Sequence, residues 1–150
     1  MPTSAGPVPA PRVIVLDSGS YVLTVTLSTS GTATCQNGVC TSISLCAGNP
    51  SAMTAAVNVT VERVGDMATV RAEGGASLLL TLNMAPTFVS GTISGSARDA
   101  QGVTVVTTGT LTGAAAADPA SLLSGNMDGQ VSMAGGSCSN NGHTWTLARL

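Results

Sequence analysis

Hydrophobic and polar residues alternate along most of this chain with the period of two that a half-buried β-strand requires. In YVLTVTLS (Tyr21–Ser28), Tyr21, Leu23, Val25 and Leu27 fall on one face and Val22, Thr24, Thr26 and Ser28 on the other. VNVTVERV (Val57–Val64) alternates again. It is followed by Gly65-Asp66, a first-position glycine suited to a type II′ hairpin, and then by MATVRA. A two-residue turn there pairs Val61 with Val70 and Val59 with Ala72 inside, and Glu62 with Thr69 outside. SLLLTLN (Ser77–Asn83), FVSGTISGSA (Phe88–Ala97), GVTVVTTGTLT (Gly102–Thr112), GNMDGQVSMAG (Gly125–Gly135) and HTWTLARL (His143–Leu150) complete eight main strands. GAAAADPASLLS (Gly113–Ser124) breaks the alternation, with room for one helical turn and a bend at Asp118-Pro119.

Sequential strands joined by tight turns predict an all-β domain, an eight-stranded antiparallel meander barrel whose closure removes both sheet edges. A two-sheet β-sandwich is the alternative. It needs long Greek-key crossovers, and only the stretch from Ala114 to Ser124 could be one. The barrel domain is assigned to residues 17–150. Residues 1–16 form a proline-rich lead ending in the apolar run Val13–Leu16, an edge or exchange strand that packs on its own barrel or on the next copy. The inward set is Leu23, Val25, Leu27, Val59, Val61, Val70, Leu78, Leu80, Leu82, Ile93, Val103, Val105, Met127, Val131, Met133 and Leu147. SGTISGS reads as a strand whose small residues mark bulges or tight curvature.

Composition narrows the function classes. Only 8% of residues are charged, no lysine occurs and the formal net charge is −2, so the cationic face that nucleic acid requires is missing. No stretch reaches the roughly 20 apolar residues of a membrane helix. Three aromatics, Tyr21, Phe88 and Trp145, are too few for the girdles of a membrane barrel. The opening MPTSAGPVPAPR lacks the cationic start and apolar block of a signal peptide. Export therefore implies a signal or a lipid-bearing cysteine removed ahead of it.

That the chain is exported follows from its four cysteines. In CQNGVC (Cys35–Cys40), Asn37-Gly38 is a strong type I′ hairpin signal. One step outside the turn, Cys35 faces Cys40 at a non-hydrogen-bonded position, where side chains approach most closely. A Cys35–Cys40 disulfide staples that ribbon and leaves Cys46 for Cys138, across the seam where the barrel closes. Chain entropy assigns about 2 kcal/mol to the short loop and about 4.6 kcal/mol to the long one. Two disulfides place the protein in an oxidising compartment, outside the cytoplasm.

The strand YVLTVTLS, a cysteine some way beyond it and the closing CSNNGHTWTLARL resemble uncharacterised exported bacterial proteins expected to be small lipocalin- or avidin-like barrels. The resemblance covers most of the chain and implies a secreted or surface-anchored barrel with no particular activity. Lipocalins carry Gly-x-Trp on the first strand and an arginine near the last; here Tyr21 stands on the first strand, while Trp145 and Arg149 share the final one. Avidins line their pocket with several tryptophans, and this chain has one.

Chemistry-bearing residues are sparse. His143 is the single histidine, so acid–base chemistry near neutral pH falls on it first. Alternation on the last strand puts His143, Trp145, Leu147 and Arg149 on one face, with His143 near a barrel mouth and Arg149 at the far end. No nucleophile elbow has its strand-to-helix context, and no metal-ligand spacing or cofactor motif occurs. The expected function is non-enzymatic: an exported barrel that binds a small apolar molecule through Tyr21, Val105, Met127, Met133, His143, Trp145 and Arg149. The alternatives are a structural subunit that self-associates by N-terminal strand exchange, and an enzyme working at the mouth near His143.

Overall fold

Each of the eight alternating stretches is a strand in the computed structural model, which describes residues 13–31, 34–41, 44–50, 53–116 and 121–150. The strands are β1 (Gly19–Thr26), β2 (Thr34–Gln36), β3 (Val39–Thr41), β4 (Leu45–Gly48), β5 (Thr54–Val64), β6 (Met67–Ala72), β7 (Leu79–Met84), β8 (Val89–Arg98), β9 (Thr104–Ala115), β10 (Leu123–Met133) and β11 (Gly136–Arg149). The β5–β6 hairpin has the register its alternation requires, with Val61 opposite Val70 and Glu62 opposite Thr69. Gly65 supplies the turn's positive φ of 57°.

Closure distinguishes the barrel from a sandwich. β1 pairs with β5 on one side and with β11 on the other, from Tyr21 opposite Arg149 to Thr26 opposite Thr144. β5 to β11 follow one another as an antiparallel meander, so β1 and β5–β11 form a closed eight-stranded barrel. Its upper end carries the β6–β7 and β8–β9 loops, the β10–β11 turn, and the insertion between β1 and β5 that holds β2, β3 and β4. Its lower end carries the β5–β6 turn, the β7–β8 connection and Leu150. Of the stretch Gly113–Ser124 with room for a helical turn, Gly113–Ala115 extend β9 and Leu123–Ser124 open β10, while 117–120 lie outside the described residues. No helix among the described residues is long and apolar enough to cross a membrane.

The apolar run at the start of the described chain seals the lower end of its own barrel. The Ile14 amide donates to the Pro86 carbonyl (2.8 Å), and Ile14 and Leu16 join the core, while Val13 and Val15 face out. Arg63 Nη1 holds the Leu16 carbonyl at 3.1 Å. The proline-rich part of the lead, 1–12, lies outside the described residues.

Two walls of different character enclose the core. β1, β5, β7 and β11 point mostly medium and large side chains inward, among them Tyr21, Leu23, Val59, Leu80, Leu82 and Trp145, and β6 adds Val70 between Ala68 and Ala72. β8, β9 and β10 instead alternate buried side chains with glycines on their inward positions: Gly91 and Gly95, Gly109 and Gly113, Gly125 and Gly129. These strands curve so tightly that a Cβ on Gly91 would meet the Thr81 carbonyl and one on Gly125 the Thr112 carbonyl. Glycine is what lets the wall bend. The inward set assigned from alternation is buried throughout, except Val103, which is partly buried at the rim.

Two features depart from the sequence expectation. β11 begins at Gly136, seven residues before His143, and β4 is an extra strand paired with that upper half of β11. The Cys46–Cys138 bond therefore joins β4 to β11 above the end of β1, and does not itself span the β1–β11 seam. The Cys35–Cys40 bond crosses the β2–β3 ribbon as expected, with Asn37 and Gly38 at φ of 51° and 79°.

Candidate functional site

The upper half of β11 changes phase partway along. Cys138 and Asn140 point inward, and then His143, Trp145 and Leu147 do. The register confirms the break: Met127 faces His143 but Gly129 faces Asn140, so β11 carries one more residue than β10 across this stretch. Such a β-bulge re-aims every side chain beyond it. Asn140 braces it, with Oδ1 accepting from the Gly142 amide (2.8 Å) and Nδ2 donating to the Ser28 carbonyl (2.8 Å) and Ser44 Oγ (2.9 Å).

His143 lies just past the bulge and is fully buried. Its Nδ1 accepts from the Ser28 amide (2.9 Å), so Nε2 carries the hydrogen and donates to the Cys138 carbonyl (3.1 Å). Burial pushes its pKa below the ordinary 6.5, against the opposing pull of the Cys138 and Gly129 carbonyls and of Asp128. Both ring nitrogens are committed to backbone and the ring is shielded from solvent. In this geometry His143 ties the β1 end to β11.

The other expected site residues separate into three places. Trp145 lies within the core, its Nε1 donating to the Thr112 carbonyl (3.1 Å) and its ring against Gly113, where a Cβ would sit 2.6 Å from Cζ2. Met127 and Val105 are also core residues, and Met127 Sδ accepts from Thr107 Oγ1 (3.3 Å). Tyr21 and Arg149 are partners at the lower end. The Tyr21 hydroxyl donates to the Asp17 carbonyl (2.8 Å), and the Arg149 guanidinium lies 5.9 Å from the Tyr21 ring centroid, a cation–π contact. Met133 borders an open cleft.

That cleft lies on the upper rim and has a volume of about 740 Å³. The start of β9 supplies Val103, Thr104 and Val106; the β10–β11 turn supplies Ser132, Met133, Ala134 and Ser137; β4 supplies Ala47 and Gly48. No lining side chain is charged, and the polar groups are hydroxyls and backbone. Local geometry builds it. Ala134 and Gly135 take φ of 45° and 87°, giving a tight hairpin that leaves both flanks open, and Asn49 donates to the Gly135 carbonyl to bring β4 alongside. Alternation could not reveal this cleft, because it joins the rim of three barrel strands, β9, β10 and β11, to a strand outside the barrel. A smaller hollow of about 360 Å³ at the same end is bordered by Asn58, Glu73, Arg98 and Asp99.

Comparison with protein-family models, curated proteins and solved structures gives no match. What bears on function is therefore the chemistry of the site itself.

Proposed function

We propose that this domain works outside the cytoplasm as a disulfide-stapled barrel that binds a small, uncharged, apolar molecule in the upper-rim cleft. One observation carries the reading: a concave space of about 740 Å³, within the range of small-molecule sites, is lined by Val103, Val106, Met133 and alanines, with no charged residue in its lining. Met133 gives an adaptable apolar wall, and Ser132, Ser137 and Thr104 offer hydroxyls that orient a carbonyl or hydroxyl of the ligand. The binding place is thus the rim rather than the barrel axis, where Trp145 and Met127 already pack. The two disulfides support an oxidising compartment.

Nile red, a neutral apolar dye, is the probe for a first test. The oxidised protein should bind it saturably, and Val106→Trp, at a position half exposed on the cleft wall, should abolish binding without moving the unfolding midpoint. Absence of saturable binding, or binding that survives the substitution, would sink the reading.

A second reading has its own observation. Val13, Val15, Val64, Met67, Phe88 and Leu150 all expose apolar side chains at the lower end. Such a rim fits self-association through the outward face of the Val13–Leu16 segment. Light scattering on Val13→Asp/Val15→Asp decides it: a dimer or larger species must become monomeric, and a wild-type monomer removes the reading.

A further inference from the structure

We infer that Cys46–Cys138 is a redox latch that holds one wall of the cleft, so that reduction by a dithiol frees β4 and empties the site while the barrel stays folded. The inference rests on the rim-cleft reading for its binding consequence, but the latch itself has independent support.

β4 is an appendage. All four of its residues, Leu45 to Gly48, are exposed, so it buries no apolar side chain against the barrel. It holds to β11 through a short ladder, Leu45 opposite Ser139 to Gly48 opposite Gly136, on the edge of β11 that β1 leaves free. Among the described residues, Asn140 Nδ2 donates to Ser44 Oγ at one end, and the Asn49 amide donates to the Gly135 carbonyl at the other, where Asn49 and Pro50 pack on Gly136. A four-residue edge strand with no buried face is at the margin of stability unless covalently fixed. The barrel's own closure, by contrast, uses β1 against β11 from Tyr21 to Thr26 and needs nothing from β4.

The bond is also reachable. Cys46 is exposed while Cys138 is fully buried, so an incoming thiolate has one sulfur to attack. A dithiol thiolate forms a bond to Cys46 Sγ, and Cys138 Sγ departs with the electron pair and takes a proton. The second thiol of the reagent then attacks its own sulfur in the mixed disulfide and leaves as a cyclic disulfide. Cys46 departs as a thiolate, to which the Ser44 hydroxyl, 3.3 Å away, is placed to donate. With β4 free, Ala47 and Gly48 leave the cleft, which opens to a shallow rim.

The test uses Cys35→Ser/Cys40→Ser, so that one bond alone responds, compared oxidised and after dithiothreitol. Hydrogen exchange should show the amides of β4 and the β4-facing amides of Gly136–Ser139 opening locally and losing protection by about a hundredfold, while β5–β8 stay protected and lose at most what the missing cross-link costs global stability. Nile red affinity should fall at least tenfold, and Cys46→Ser/Cys138→Ser should reproduce both changes without reductant. Protection of β4 that persists after reduction overturns the latch. Unfolding of the reduced protein, with protection lost in β5–β8 altogether, overturns it too, because the bond would then hold the barrel rather than one strand. If the oxidised protein binds no dye, the rim-cleft function falls, and the exchange pattern still decides the latch.

Discussion

The two walls of this barrel reach the same burial by opposite means. In β1, β5, β7 and β11, most inward positions contribute by size: Leu80, Leu82 and Trp145 fill the interior and exclude water. In β8–β10, two inward positions on each strand contribute by having no side chain, because Gly91, Gly109 and Gly125 let strands bend until a Cβ would run into backbone. One wall supplies volume and the other supplies curvature. A core with two aromatics, Tyr21 and Trp145, is closed less by bulk than by bringing one wall toward the other.

The sharpest break of this comparison is a pair of substitutions of opposite sense. Leu80→Ala removes volume from the first wall and should cost about 2–5 kcal/mol in urea unfolding. Gly125→Val adds volume to the second, with its Cβ 2.6 Å from Gly113 Cα, and should cost about 3 kcal/mol or more. If Gly125→Val proves neutral, curvature is not what that wall supplies. A smaller effect tests the contact between the walls. Gly113→Ala clashes with Trp145, so its cost should shrink by about 1 kcal/mol in a Trp145→Leu background, as read by a double-mutant cycle.

The mildest effect is a pH dependence at the seam of the walls. His143 is neutral in the folded state and its pKa is lowered by burial, so the unfolded chain binds the proton more readily. Stability from this group is fully present above pH 6.5 and declines as pH falls below it, until the folded ring itself protonates. His143→Gln should flatten that part of the unfolding-midpoint profile. A slope that survives the substitution would assign it elsewhere.

Much of the architecture was legible because period two is written plainly where one face is buried and the other carries Thr and Ser. The Gly65-Asp66 and Asn37-Gly38 turns then set their registers and placed Cys35 opposite Cys40. The upper half of β11 was not legible. GSCSNNG has the composition of a loop, and the bulge at Asn141-Gly142 breaks the alternation that identifies a strand. β4 was hidden for a related reason, since a strand exposed on both faces has no alternation to show. The cleft inherits both omissions, and only Met133 of its lining was singled out as a site residue. His143, Trp145 and Met127 were correctly placed inward, but parity says nothing about whether an inward side chain meets a ligand or another side chain.

Closure by β11 has a consequence for when the domain can exist at all. The contacts between Tyr21–Thr26 and Thr144–Arg149 join segments from opposite ends of the barrel sequence. Until the final strand arrives, β1 and β10 each present an unpaired edge, and neither neighbour along the chain can cover it. The nucleus can form among local hairpins such as β5–β6, but the closing step is among the most non-local pairings the topology contains and should come late. A chain of this design stays open until β11 has been made and has paired with β1. Its most aggregation-exposed interval ends when Trp145 and Leu147 dock beside Leu23 and Val25.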